Sequence, residues 1–211
     1  MSDFKSGFVA ICGRPNVGKS TILNKLVGQK VAIVSPRPQT TRNKITGVYT
    51  KDDCQIVFLD TPGIHTPKNE LGKYMLKQVS SGTKGVDLIL MVVEPNDKIT
   101  QTELKMTEDY KLNDRKVVLV INKIDTVKKE VLMPVISAYS ELMDFAAIIP
   151  VSAKHNDGLE ALLNEIKKYL SKGPKYFPDD MVSDQPEKQI VCEIIREKIL
   201  RLLDKIGRAH V

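Results

Sequence analysis

The sequence predicts an α/β fold in which a mostly parallel sheet carries helices on both faces. Short β-branched runs alternate with stretches of helical period from residue 7 to residue 170. A G-x-x-x-x-G-K-S run joins the first such strand to the first such helix, the context in which that pattern carries meaning. Extended runs such as residues 88–93 are apolar throughout rather than alternating, which is how strands covered on both faces read.

In order, residues 7–12 predict a strand and 20–27 a helix, followed by extended segments at 46–50 and 55–59 with Asp52-Asp53 as the hairpin turn between them. A strand at 86–93, a helix at 101–112, a strand at 117–121, a helix at 130–143, a strand at 147–151 and a helix at 159–170 continue the alternation. Met133 and Met143 are expected as core fillers. The period then breaks across 171–186, where Gly173, Pro174, Pro178 and Pro186 sit among charges, and this stretch reads as an interdomain linker. Beyond it Ile190, Val191, Ile194, Ile195, Ile199, Leu202 and Leu203 recur at helical spacing, with Asp184 and Glu187 placed like a capping box. One amphipathic helix has nothing of its own against which to bury its stripe, so this one needs a partner.

With 211 residues, 42% of them apolar, the chain can bury one full-sized core with roughly forty residues to spare. A net charge of +6 favours polyanionic partners, with RNA, DNA and acidic membrane surfaces all open at this point. The apolar stretch 8–12 is too short for a signal-peptide core, and 88–93 falls well below the ~20 residues that span a bilayer, so a soluble protein is expected. Cys12, Cys54 and Cys192 are far apart and set among apolar neighbours, which predicts reduced, buried thiols suited to the cytosol.

The chemistry begins at Gly13-Arg14-Pro15-Asn16-Val17-Gly18-Lys19-Ser20. Glycines let a backbone wrap closely round a phosphate, and the N–H groups at the start of the following helix, through Thr21, add positive potential. Lys19 is the candidate to neutralise β- and γ-phosphate oxygens, and the Ser20 hydroxyl is a candidate Mg²⁺ ligand. Asp60 ends an apolar run, at the carboxyl edge of its strand, and is expected to hold Mg²⁺ through water. Thr61-Pro62-Gly63 then makes a tight turn whose Gly63 N–H can contact a γ-phosphate, with Ile64 following it.

Asn122-Lys123-Ile124-Asp125 follows a buried strand and separates guanine from adenine. The Asp125 carboxylate can accept from both the ring N–H and the exocyclic amine of guanine, whereas adenine would leave it unpaired. Lys123 would lay its stem over the base and Asn122 would tie the segment to the phosphate loop. Ser152-Ala153-Lys154, at the end of the next strand, offers the Ala153 N–H to the guanine carbonyl. In this order the motifs point to GTP and GDP as ligands and to GTP hydrolysis as the reaction. A P-loop ATPase or kinase is the competing enzyme, and Asn122 to Asp125 argues against it.

The ordered set GRPNVGKS, QTTR, DTPGIH, NKID and SAK resembles a translation-factor-type GTPase domain, and residues 60–75 narrow the resemblance to the Era GTPases. It covers residues 7 to about 205, and the helix containing Glu193-Ile194-Ile195-Arg196-Glu197-Lys198 is similar to the opening of the KH domain of that family. The resemblance implies a P-loop GTPase domain over 1–172, a linker over 173–186, the first helix of a truncated KH-type α+β domain over 187–205, and a tail over 206–211 that is expected to be non-native. That tail is read as an artefact because its residues are one reading of a common sequencing adapter, and the G-x-x-G loop with which KH domains grip RNA is missing after the linker. The resemblance further implies binding of small-subunit ribosomal RNA and the 30S subunit through the full-length KH domain, most of which is expected to be missing here, assistance to assembly of the 30S subunit, no DNA partner and a cytoplasmic location, with peripheral contact at the inner face of the cell membrane left open. It makes residues 36–47 the first switch, with Thr41 as the Mg²⁺-binding hydroxyl and Thr40 behind it, so that Lys19, Thr41 and Gly63 are the expected catalytic groups. Asn16 matches an asparagine that helps hold K⁺ in related GTPases, which makes activation by K⁺ an expectation.

Ras-type GTPases orient the attacking water with a glutamine after the D-x-x-G turn; Ile64 stands there and has no hydrogen-bonding group. His65 and Arg42 are weighed against their commoner roles as solvent-facing or partner-contacting residues. The expectation is slow intrinsic hydrolysis with the water placed by backbone groups. A related GTPase acting on transfer RNA or the large subunit, and a non-hydrolysing nucleotide-regulated RNA-binding module, are the alternatives.

Overall fold

The computed structural model describes residues 4–34, 45–63, 85–96 and 98–202, and in them the alternation resolves into one sheet. The elements are β1 (Lys5–Gly13), α1 (Lys19–Val27), β2 (Ile45–Lys51), β3 (Cys54–Asp60), β4 (Leu88–Val93), α2 (Gln101–Leu112), β5 (Val117–Asn122), a 3₁₀ turn (Ile124–Thr126), α3 (Lys129–Ser140), β6 (Ala147–Val151), α4 (Leu159–Lys168), β7 (Ser171–Lys172) and α5 (Glu187–Leu202). Strand order is β2-β3-β1-β4-β5-β6, with β7 added antiparallel at the start of β1. From β3 to β6 all neighbours are parallel, and β2 returns antiparallel to β3 through the Asp52-Asp53 turn.

Successive strand residues point to opposite faces, and both faces are covered, so both must be apolar. Val9 and Ile11 of β1 enter a core shared with Ile22 and Leu23 of α1 and Leu162 and Ile166 of α4. Ala10 and Cys12, between them in sequence, enter the second core with Met106 and Tyr110 of α2 and Val135 and Tyr139 of α3. Burial of each large side chain contributes about 1.5–3 kcal/mol. The shared strand direction brings the carboxyl ends of β1, β3, β4, β5 and β6 to one edge of the sheet, and β1 lies where the strand order reverses, between β3 and β4. That is the place where sheets of this kind bind ligands.

Helix α1 stops at Gly28, whose φ of 81° and N–H to the Asn24 carbonyl at 3.0 Å make a left-handed cap. The Asn24 side chain then holds the departing chain, accepting from Val31 N at 3.0 Å and Ala32 N at 2.9 Å and donating to Ala32 O at 2.7 Å.

Several expectations are corrected. Helix α3 ends at Ser140 and not 143, α4 at Lys168 and not 170, and β4 begins at Leu88 and not 86. Met143 is buried as expected, but Met133 is 66% exposed because it lies on the face of α3 opposite Val135 and Tyr139. All three cysteines are free; Cys12 and Cys54 are buried, whereas Cys192 is exposed on α5.

The stretch read as a linker is fastened to the domain along its length. Gln55 is fully buried, and its Oε1 accepts from Tyr176 N at 2.7 Å and Phe177 N at 3.0 Å while Nε2 donates to Phe177 O at 2.9 Å. Val48 N donates to Val182 O at 2.9 Å, Ser183 Oγ to Thr46 O at 2.7 Å, and the ring of Tyr176 packs on Phe8 with centroids 4.7 Å apart. In α5, Glu197 is buried against the body, 2.6 Å from Lys30 Nζ, while Val191, Ile195, Ile199 and Leu202 form the exposed apolar stripe that the pattern predicted. The Glu187 side chain of the expected capping box, and residue Leu203, lie outside what is described. No helix among the described residues is long and apolar enough to cross a membrane.

Candidate active site

The loop between β1 and α1 turns on Gly18, whose φ is 98°. A Cβ there would stand 2.2 Å from Asn122 Nδ2, so the position needs glycine for both its conformation and its space. Lys19 follows, only 6% exposed, with Nζ donating to Gly13 O at 3.1 Å and Arg14 O at 2.9 Å. Burial lowers its pKa, and the Asp60 carboxylate opposes that shift by favouring the charged ammonium.

Asp60, at the end of β3, is fully buried and accepts from Ser20 Oγ at 2.6 Å. The expected metal pair is therefore side by side. A hydroxyl and a carboxylate oxygen are hard donors, the kind Mg²⁺ takes. Thr61 anchors the next turn by donating from Oγ1 to Ile11 O at 2.9 Å. Gly63 then lies so close to the phosphate loop that a Cβ would meet Pro15 N at 2.7 Å and Pro15 Cα at 2.8 Å. Thr41, Thr40, Arg42, Ile64 and His65 lie outside the described residues.

On the other side, Asn122 ends β5, 2% exposed, and joins three loops. Its Nδ2 donates to Val17 O at 2.8 Å and its Oδ1 accepts from Ala153 N at 3.1 Å. The tie to the phosphate loop is thus as expected. The Ala153 N–H, expected to face the guanine carbonyl, is given to Asn122 here, so a purine oxygen would have to share it or take it over. Lys123, left-handed at φ 66°, pairs through Nζ with Glu94 after β4. Ile124 and Asp125 start the 3₁₀ turn. Asp125 Oδ1 accepts from Ser152 Oγ at 2.6 Å, and His155 Nε2 lies 3.8 Å from Oδ2. The Ser152 hydroxyl bond, then the nearby His155 and Lys154 charges, hold the Asp125 carboxyl below its ordinary range and keep it an acceptor. Asp125 is open to solvent, so the dry setting assumed for base discrimination has to come from the bound base itself.

Among the phosphate-loop residues, Arg14 departs from expectation, since its side chain goes to α2, with Nε donating to Glu103 Oε1 at 2.9 Å. Glu103 and Glu94 were missed by sequence reasoning. The spacing Thr100-x-x-Glu103 is a legible capping box, and the structure forms it in both directions, but its contact with the phosphate loop had no sequence signal. Glu94 had none at all.

A lysine-bearing glycine loop at the switch point of a parallel sheet, with a hydroxyl–carboxylate pair beside it, defines a P-loop nucleotide-binding protein. Asp125 set by Ser152 places it among the GTPases. The family described as 50S ribosome-binding GTPase matches residues 8–123. GTPase Era of Ruminiclostridium cellulolyticum is 51% identical over 201 residues, which are 95% of this chain and 67% of that protein. Of solved structures, Era in complex with MgGDPNP and nucleotides 1506–1542 of 16S ribosomal RNA superposes with a TM-score of 0.87 at 38% identity, over 92% of this chain and 67% of that one. A single-residue variant of Aquifex aeolicus Era bound to GDP.AlF4- gives the same values, with a TM-score of 0.87, 38% identity and 92% and 67% coverage. The chain belongs to the Era family of GTPases, and its reaction is the hydrolysis of GTP.

Proposed function

We propose that this chain is the nucleotide switch of a protein that binds small-subunit ribosomal RNA and assists 30S assembly in the cytoplasm. The observation that carries the RNA reading is the likeness, over nearly the whole chain, to an Era solved with a 16S ribosomal RNA segment. We divide the chain into a GTPase domain over 1–172, a connecting strap over 173–186 and the first helix of an RNA-binding unit over 187–205.

In this reading the phosphates lie against the backbone of Gly13 to Thr21, and Lys19 Nζ moves from the Gly13 and Arg14 carbonyls toward the β- and γ-oxygens. Ser20 and Asp60, with Thr41, would hold Mg²⁺. An ion held there would neutralise phosphate charge. Water adds to the γ-phosphorus as the bond to the β,γ-bridging oxygen breaks, giving GDP and phosphate, with the water proton passing to phosphate. Ile64 offers no hydrogen bond to the water, so the Gly63 N–H and neighbouring backbone groups place it. Asp125 reads the guanine N–H groups, Lys123 covers the base, and Asn122 keeps the phosphate and base loops in register. Asn16 is the proposed K⁺ contact; equal turnover in KCl and NaCl would remove that part.

Phosphate release at saturating GTP, with Lys19→Ala as control, tests the enzymatic roles. Sedimentation of the full-length protein with purified 30S and 50S subunits tests the partner. Recovery with 50S alone would favour the second reading, which the description of the matched family as 50S-binding supports.

A further inference from the structure

Glu103 is 2% exposed, in the first turn of α2, and an isolated carboxylate at that depth would be costly. It is compensated from several directions. Oε2 accepts from Thr100 N at 2.8 Å and Thr100 Oγ1 at 2.7 Å, and Oε1 accepts from Arg14 Nε at 2.9 Å. From α3 the Tyr139 hydroxyl lies near the same carboxylate, and burial together with this negative neighbour holds that phenol in its neutral form.

The capping box accounts for Oε2, which takes Thr100 N and Oγ1, but not for Oε1 or for the depth of the carboxylate. Burial of the carboxylate and its ion pair with a residue 89 positions earlier answer to something else. Arg14 is held at both ends: its side chain is gripped by Glu103, and its carbonyl receives Lys19 Nζ at 2.9 Å.

We propose that Glu103 is a positioning residue for the phosphate loop, presetting through Arg14 the backbone that receives Lys19 and lines the phosphate site. This rests on the assignment of residues 13–20 to phosphate. Helix α2 thereby braces the loop, and GDP binds a loop already in place rather than one it must order.

The test is fluorescent-GDP affinity, beside melting temperature, for wild type, Glu103→Gln, Arg14→Ala and the double variant. Glu103→Gln takes the charge from the acceptor that holds Arg14, and Arg14→Ala removes the donor, so each should weaken GDP about tenfold. The double should be no weaker than the weaker single, because both break one link. Thr100→Ala, which damages the cap and leaves the ion pair, should lower the melting temperature with GDP affinity within about twofold of wild type. Arg14→Ala breaks the same link from its partly exposed end and stands in if Glu103→Gln does not fold. A double variant losing the product of the singles, an unaffected affinity in Arg14→Ala, or an equal loss in Thr100→Ala would overturn the proposal. Lys19→Ala separates the levels: normal GDP binding there would remove the phosphate-loop reading itself, whereas loss there with wild-type affinity in Glu103→Gln would remove only the positioning role.

Discussion

Replacing Asn122 by alanine cuts the site at its hub. Two hydrogen bonds are lost, to Val17 O at 2.8 Å and from Ala153 N at 3.1 Å, both in a buried setting. Each loss leaves a backbone group unpaired, at a cost of about 1–3 kcal/mol apiece where water does not reach it. If only half of that is expressed in the bound state, GDP affinity falls by about 2 kcal/mol, on the order of thirtyfold. Asn122→Asp should do worse, since it sets a carboxylate oxygen against the Val17 carbonyl while keeping the acceptor for Ala153. Stopped-flow binding of fluorescent GDP measures both rate constants, and the loss should fall mainly on dissociation because the loops separate from a bound state. Affinity within threefold of wild type in Asn122→Ala, in a protein that still melts cooperatively, would refute the reasoning that this residue couples the two loops.

Gly63→Ala forces a Cβ to within 2.7–2.9 Å of Pro15 atoms, so the turn and the phosphate loop must part. Single-turnover hydrolysis should slow about tenfold or more while GDP affinity changes less, and unchanged hydrolysis would show that the approach has no catalytic part. Gln55→Ala leaves Tyr176 N, Phe177 N and Phe177 O without their partner and should cost about 2–4 kcal/mol, read as a fall in melting temperature of about 5–10 °C. A melt within about 2 °C would mean that water replaces the side chain at little cost. For pH, the Asp125 carboxyl titrates below its ordinary range, so its acceptor function is present above that range and is lost only as pH falls through the lowered value. The ratio of GDP to ADP affinity in a His155→Ala protein, free of the only histidine near Asp125 among the described residues, should therefore stay level from pH 7 to pH 5, since the two terminal phosphates titrate alike there; a falling ratio would refute it.

Much of this architecture was legible because it is written in periods. Residues 88–93 and 117–121 are apolar throughout since both sheet faces are covered, and the glycine loop and Asp60 fall at strand ends where the edge of a parallel sheet gathers them. What escaped notice has no period. Glu103 looks like an ordinary capping-box glutamate, and only folding brings Arg14 to it. Met133 belongs to an apolar helical run, yet it faces the side of the helix opposite Val135 and Tyr139, away from the core. Gln55, in a strand, gives no sign that it will bind a proline-rich segment 121 and 122 residues later.

That proline-rich segment defeats sequence reading for a physical reason. Prolines and charges mark the absence of helix and strand, but absence of regular structure is not absence of attachment. The attachment is made instead by single contacts to backbone: Val182 O to Val48 N, Ser183 Oγ to Thr46 O, and Glu197 Oε2 to Val34 N. Backbone groups carry no residue identity, so no pattern in 45–51 or 30–34 could announce them. Their placement has a consequence. Val34 precedes the stretch 36–47, and Thr46 and Val48 stand at its end, so both flanks of that stretch are bonded to the strap or to α5. Glu197 is buried and paired with Lys30, which makes loss of its partner costly and keeps the flank and the helix together. A displacement of residues 30–34 therefore has to be followed by α5 or has to leave the buried Glu197 carboxylate without Lys30 and Val34 N, whereas a displacement of β2 has to be followed by the strap or has to break the bonds from Val48 N to Val182 O and from Ser183 Oγ to Thr46 O.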